Sequence, residues 1–163
     1  DTAIKRIRAA VDARRDENFL IMARTDIRAI ERHDAAIDRA KALVDAGADA
    51  IFPEAMASVA EFEAVASALD VPILANMTEF GKSDLFSVDQ LRDAGVAMVI
   101  WPVSLLRIAM GAAGRALDTL NDEGHLTSKL GEMQHRADLY DLIDYESYNH
   151  FDSGVFNFTI TKE

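Results

Sequence analysis

The chain has 163 residues, half of them hydrophobic, with 17 Lys and Arg against 28 Asp and Glu for a net charge of −11, and no cysteine. That length and apolar content suffice for one buried core. The acidic balance argues against nucleic-acid or anionic-membrane partners, and any anionic ligand has to be held by a few placed arginines. Disulfides, thiolate metal sites and a thiol acid or nucleophile are excluded within these residues. No run reaches the roughly 20 apolar residues of a membrane span, and the start DTAIKRIRAAVDARR lacks a secretory h-region, so a cytoplasmic location is expected.

Taken in chain order, residues 2–14 set Ile4, Ile7, Ala10 and Val11 on one helical stripe. The apolar run at 19–23 predicts the first strand. A helix over 33–46 follows, with Ala36, Ile37, Ala40, Leu43 and Val44 on one face and Gly47 as its stop. Ala50 to Pro53 read as a short strand, Ser58 as the N-cap of a helix, and Val71 to Asn76 as a third strand. Ser87 caps a helix through Arg92, ended by Gly95; residues 97–101 make the fourth strand and 103–121 a long helix.

Strands recurring at roughly 25 to 30 residues with helices between them predict βαβ crossovers and a parallel α/β sheet. Four such units are half of an eight-fold barrel of ~250 residues, or a small open sheet. Beyond residue 121 two helical patterns carry Tyr140, Tyr145, Tyr148 and Phe151, as in a helical cap or arm over 122–151. The final stretch SGVFNFTITKE, in a tail over 152–163, alternates as an edge strand or a frayed end.

Each apolar run ends in polar residues, and in parallel α/β proteins ligands bind at the carboxyl ends of the strands. Arg24, Asp26, Glu54, Asn76, Thr78, Ser104 and Arg107 should therefore converge on one pocket. Arg24 is suited to clamp a carboxylate, or equally to pair with Asp26. Glu54 can orient a hydroxyl, hold a metal-bound water or act as a base, or be an ordinary loop acid. Asn76 and Thr78 are hydrogen-bonding partners on one side of an extended strand, or turn residues. Arg107 and Ser104 open a helix where a carboxylate would meet a guanidinium, a hydroxyl and the helix dipole. Arg136 belongs to the site only if the cap folds over it. His33, His125, His135 and His150 read as solvated, and Met77, Met98 and Met110 as core filler.

The segments MARTD, GADAIFPEA, VPILANMTEFG, WPVSLLR and LYDLIDYESY, in this order and spacing, resemble the carboxyl-terminal part of the isocitrate lyase and phosphoenolpyruvate mutase superfamily. Within it, NMTEFG is similar to the 2-methylisocitrate lyase branch. The resemblance implies a (β/α)8 TIM barrel of which residues 1–121 form the last four βα units, followed by a helical cap or a helix swapped between subunits. It also implies a homotetramer and an Mg²⁺-dependent, aldol-type cleavage of 2-methylisocitrate to pyruvate and succinate in propionate catabolism by the methylcitrate cycle. By matching position, Arg24, Glu54, Asn76, Met77, Thr78, Arg107 and Arg136 would contact the tricarboxylate substrate, with Glu54 also catalytic. The superfamily's cysteine acid and its Mg²⁺ ligands would lie in an amino-terminal half that these residues do not include, so no metal ligand is expected here. On that reading the 163 residues are part of a longer polypeptide and are inactive alone. Another superfamily lyase or hydrolase, acting on isocitrate, oxaloacetate, a dimethylmalate or a phosphonate, and a non-catalytic half-barrel remain the alternatives.

Overall fold

The structure, a computed structural model, describes residues 2–81 and 83–156. It divides into two compact units, Asp1–Ala109 and Met110–Glu163. In the first unit the elements run α1 (Thr2–Ala13), β1 (Met22–Thr25), α2 (His33–Val44), β2 (Ala50–Pro53), α3 (Val59–Ser67), β3 (Leu74–Asn76), α4 (Val88–Asp93) and β4 (Met98–Ile100), and α5 (Ser104–Glu123) begins there.

β1 and β2 pair in parallel from Met22↔Ala50 to Thr25↔Pro53, and β3 and β4 from Leu74↔Met98 to Asn76↔Ile100. A parallel Ile51↔Ile73 bridge, with the Ile51 N–H donating to the Pro72 carbonyl at 3.0 Å, joins the two pairs. All four strands thus point one way in the order 1-2-3-4 with a helix between successive strands, as parallel pairing demands. The four carboxyl ends share one face.

Local chemistry explains most boundaries. Ser58 accepts from the Glu61 N–H at the start of α3, and Ser87 and Gln90 form a reciprocal capping box on α4. The first strand begins three residues later than the apolar run suggested. Phe19 is 67% exposed in a turn, and the chain is re-aimed there by Asp49, whose Oδ2 accepts from the Ile21 N–H at 2.8 Å and from Arg14 Nη1 at 2.7 Å. Arg24 consequently lies within β1, opposite Phe52. The third strand is shorter than expected because Pro72 has no N–H to donate, and regular pairing starts at Leu74.

The core lies between helices and sheet: Leu43, Ile51, Met56, Phe62, Ile73 and Leu91 are fully or almost fully buried, and the buried alanines Ala36 and Ala40 let α2 approach β1 and β2 closely. Met77 belongs here too. The residue is 1% exposed and its sulfur accepts from the Phe86 N–H, so the thioether faces the core.

Gly47, just past α2, has φ +101°, and a Cβ there would stand 2.8 Å from Val11 Cγ2 on α1. Gly47→Ala is expected to destabilise the protein by about 1–2 kcal/mol, through strain and overpacking together. In urea titrations, adding Val11→Ala should recover part of that stability. No recovery would mean that α1 does not press on this turn.

The second unit holds the remainder of α5, a 3-10 turn over Thr127–Glu132, α6 (Arg136–Leu142) and α7 (Tyr145–Phe156). Tyr140 and Tyr145 stack at 4.5 Å. Residues 153–156, expected in an edge strand or frayed end, continue α7 instead; the rest of that tail, 157–163, lies outside the described residues. Among the described residues no helix is long and apolar enough to cross a membrane.

Candidate active site

The strand ends bring together most of the residues singled out from the sequence. Arg24 forks onto Asp26, Nη2 to Oδ1 at 2.8 Å and Nε to Oδ2 at 3.1 Å, and the same Nη2 lies 3.3 Å from Glu54 Oε2. Its guanidinium stands 4.8 Å over the Phe52 ring. Of the two possibilities open for Arg24, the pair with Asp26 is present, and the same side chain lines the cavity described next. Asn76 Nδ2 donates to Glu54 Oε2 at 3.3 Å, while Asn76 Oδ1 is buried without a partner. A buried acceptor left open costs about 1–3 kcal/mol unless a ligand or water donates to it. These groups line a cavity of about 290 Å³ with Thr78 and Ser83.

Thr78 also leads to the next strand end. Arg107 Nη1 donates to the Glu79 carbonyl at 3.0 Å and lies 3.3 Å from Glu79 Oε2 and 3.4 Å from Thr78 Oγ1. The Ser104 hydroxyl is 2.7 Å from both Glu79 carboxylate oxygens. Glu79, Phe80, Ser104, Arg107 and Ile108 line a second cavity of about 320 Å³. Arg136 belongs to the second unit, as the exposed first residue of α6.

The backbone is strained at this face. Ala55 follows Glu54 with φ 64°, Phe80 follows Glu79 with φ 62°, and Val103 precedes Ser104 with φ 57°. Left-handed non-glycine residues cost on the order of 1–3 kcal/mol each, and they collect where function over-determines the chain. Three such residues on one face mark it as the candidate site.

Glu79 and the Arg28–Glu61 pair escaped sequence reasoning. Glu79 sits in TEFG, which reads equally as a turn; its only signal was adjacency to Thr78.

Asp26, Asp49 and Glu79 titrate low. The Arg24 fork lowers Asp26, the Ser104 hydroxyl lowers Glu79, and the Ile21 N–H followed by Arg14 lowers Asp49. A carboxyl depressed by folding contributes stability that is present above its unfolded pKa and lost as pH falls through its folded one. The melting temperature should be flat from pH 7 to about 5 and fall below about pH 4, and Asp49→Asn should flatten part of that fall. An identical acid limb in the variant would remove Asp49 from the account.

Among the described residues no three His, Cys, Asp or Glu side chains are grouped so as to hold a metal ion, and the carboxylates at the mouth are engaged by arginines. A resident Mg²⁺ does not fit the described residues alone.

The profile of the family described as phosphoenolpyruvate phosphomutase matches residues 1–121. The chain belongs to that family. Its relatives include the "Probable 2-methylisocitrate lyase 2" of Corynebacterium glutamicum, 52% identical over 98% of this chain and 52% of the relative, and the 2-methylisocitrate lyase of Escherichia coli, 50% identical over 89% of this chain and 49% of the relative. The chain thus spans about half the length of the curated relatives it matches. Among solved structures, oxaloacetate acetylhydrolase with bound oxalate superposes with a TM-score of 0.82 at 29% identity, over 94% of this chain and 53% of that one. A 2,3-dimethylmalate lyase of the phosphoenolpyruvate mutase and isocitrate lyase superfamily superposes with a TM-score of 0.80 at 28% identity, over 95% of this chain and 55% of that one. The fold is therefore the (β/α)8 barrel type of this superfamily, represented here by four consecutive βα units.

Proposed function

We propose that these residues are the substrate-clamping half of a 2-methylisocitrate lyase, which cleaves its substrate to pyruvate and succinate. The convergence of Arg24, Glu54, Asn76 and Thr78 on one cavity, with Arg107 bonded to Thr78, carries the proposal. A tricarboxylate needs cations at separated points, and Arg24 and Arg107 offer them from β1 and α5. Between them, Glu54 is placed to take the proton of the substrate hydroxyl, and the unpartnered Asn76 Oδ1 offers an acceptor to a separate donor, a water or another protonated group. The proton passes to Glu54 as the alkoxide carbon becomes the pyruvate carbonyl, the C–C bond breaks, and its electron pair leaves with the succinate half. That carbanion is then protonated by an acid outside these cysteine-free residues. Met77 contributes no side-chain contact to this scheme. Arg136 is a further substrate-binding cation in the same proposal.

Mg²⁺ would polarise the 2-hydroxy acid and come on ligands beyond this chain. A homotetramer, a cytoplasmic location, a place in propionate catabolism and inactivity of the 163 residues alone are parts of the same proposal. The substrate choice rests on relatives near half identity, against under a third for the oxaloacetate and dimethylmalate enzymes.

The test is pyruvate release from 2-methylisocitrate with Mg²⁺, by the product of the whole reading frame that contains this chain. Turnover of oxaloacetate or a dimethylmalate in its place would overturn the substrate assignment. Silence on all of them would favour a non-catalytic half-barrel.

A further inference from the structure

A second arginine–carboxylate fork joins the turn after β1 to α3. Arg28, in the 3-10 turn Ile27–Ala29 that follows β1, places Nε at 3.1 and 3.0 Å from the two Glu61 carboxylate oxygens and Nη2 at 2.7 Å from Oε1. Its neighbour Ala29 lines the 290 Å³ cavity. The side chains are 27% and 18% exposed, so the pair is better shielded from water than the Arg24–Asp26 fork. Glu61 is fixed from several sides. Its Oε2 accepts from the Ala57 N–H at 2.8 Å, its own N–H donates to Ser58 Oγ at 3.2 Å, and its carbonyl meets His33 Nε2 at 3.1 Å. Burial pushes the Glu61 carboxyl up, Arg28 and the Ala57 N–H pull it down, and the net direction is down, which keeps it ionised.

What this pair restrains is the short loop carrying Glu54. The Glu54 N–H is held by the Thr25 carbonyl at 2.9 Å, Ala55 is in the strained left-handed region, Met56 is buried in the core, and Ala57 ends on Glu61. A strained residue keeps its conformation only while both flanks are pinned. We propose that Arg28 and Glu61 are a positioning pair that holds the Glu54 loop against β1, fixing the Glu54 carboxylate beside Arg24 and Asn76. The pair touches no substrate, and its role in turnover rests on the function proposed above.

Two variants test it in the product of the whole reading frame. R28K keeps the charge and removes the fork; E61Q keeps the shape and the acceptor for Ala57 but removes the charge. Each should lower kcat about tenfold with KM changed less than about twofold, since displacement of a reacting group by a fraction of an ångström is costly while the carboxylate clamps remain. The double variant should lose little more than either single one, because both remove one interaction. Amide hydrogen exchange at Glu54 should quicken about tenfold in both variants, along with that at Ala57. Unchanged kcat, or faster exchange at Ala57 with none at Glu54, would overturn the proposal and leave the pair a cap on α3. Should the parent protein fail to cleave 2-methylisocitrate, the function proposed above falls, and Glu54 exchange alone still decides whether the pair holds the loop. If R28K does not fold, the near-isosteric E61Q carries the same readings.

Discussion

Glu54→Gln should lower kcat for pyruvate release by about 10²–10⁴-fold, the range supplied by a positioned general base, while the melting temperature stays within a few degrees of the parent's. The amide is nearly isosteric and keeps an oxygen to accept from Asn76 Nδ2, now 3.3 Å from Glu54 Oε2. Arg24 keeps its fork to Asp26. What disappears is the capacity to receive a proton. The ion pair between Arg24 and Glu54, 3.3 Å long with the arginine half exposed, disappears as well, but such a pair contributes little to folding in water. Stability and turnover should therefore separate cleanly when thermal melts and initial rates are measured on the same preparation. Full activity in the variant would remove Glu54 as the base, and a parallel failure to fold would make it structural.

How much of this was readable from the sequence follows from how local each decision is. The Ser58 and Ser87 caps, the Ala50–Pro53 strand and the Gly47 stop depend on residues within one turn of each other, and they stand where the pattern places them. The start of β1 does not. Phe19 and Leu20 have every strand propensity, but Arg14 and the distant Asp49 decide the turn they occupy, and no local pattern carries that tertiary choice. The same distinction separates the site residues. Arg24, Glu54, Asn76, Thr78 and Arg107 were marked by the one rule that parallel strands present their carboxyl ends together. So was Ser104, but not its pairing with Glu79, 25 residues away, nor the pairing of Arg28 with Glu61, 33 apart, since nothing in the sequence states which of many acids an arginine or hydroxyl selects. Met77 shows how far residue type alone carries: it reads as core filler, and its side chain is in the core.

Phe62→Ala is the substitution with the largest expected cost in stability, about 3–5 kcal/mol, because it removes a large ring from a site that cannot collapse around the void. Phe62 is 2% exposed and meets Phe86 edge to face at 6.3 Å and 82°, joining α3 to the segment that leads into α4. Domains of this size are stable by only about 5–15 kcal/mol, so the variant should lose much of its urea midpoint and unfold near physiological temperature. Phe62→Leu, which refills part of the space, should fall between the variant and the parent, and a cost below about 1 kcal/mol for both would show that the α3 face is not packed as described. Phe62 adjoins Glu61, yet the two should fail differently. Emptying the core under α3 lowers the population of folded protein, so activity measured well below the melting temperature should survive. Loosening the Arg28–Glu61 fork leaves the core filled and should slow turnover at every temperature. A Phe62→Ala protein that stays folded in the cold but turns over as slowly as R28K would place the restraint on Glu54 in the packing of α3 and not in the ion pair.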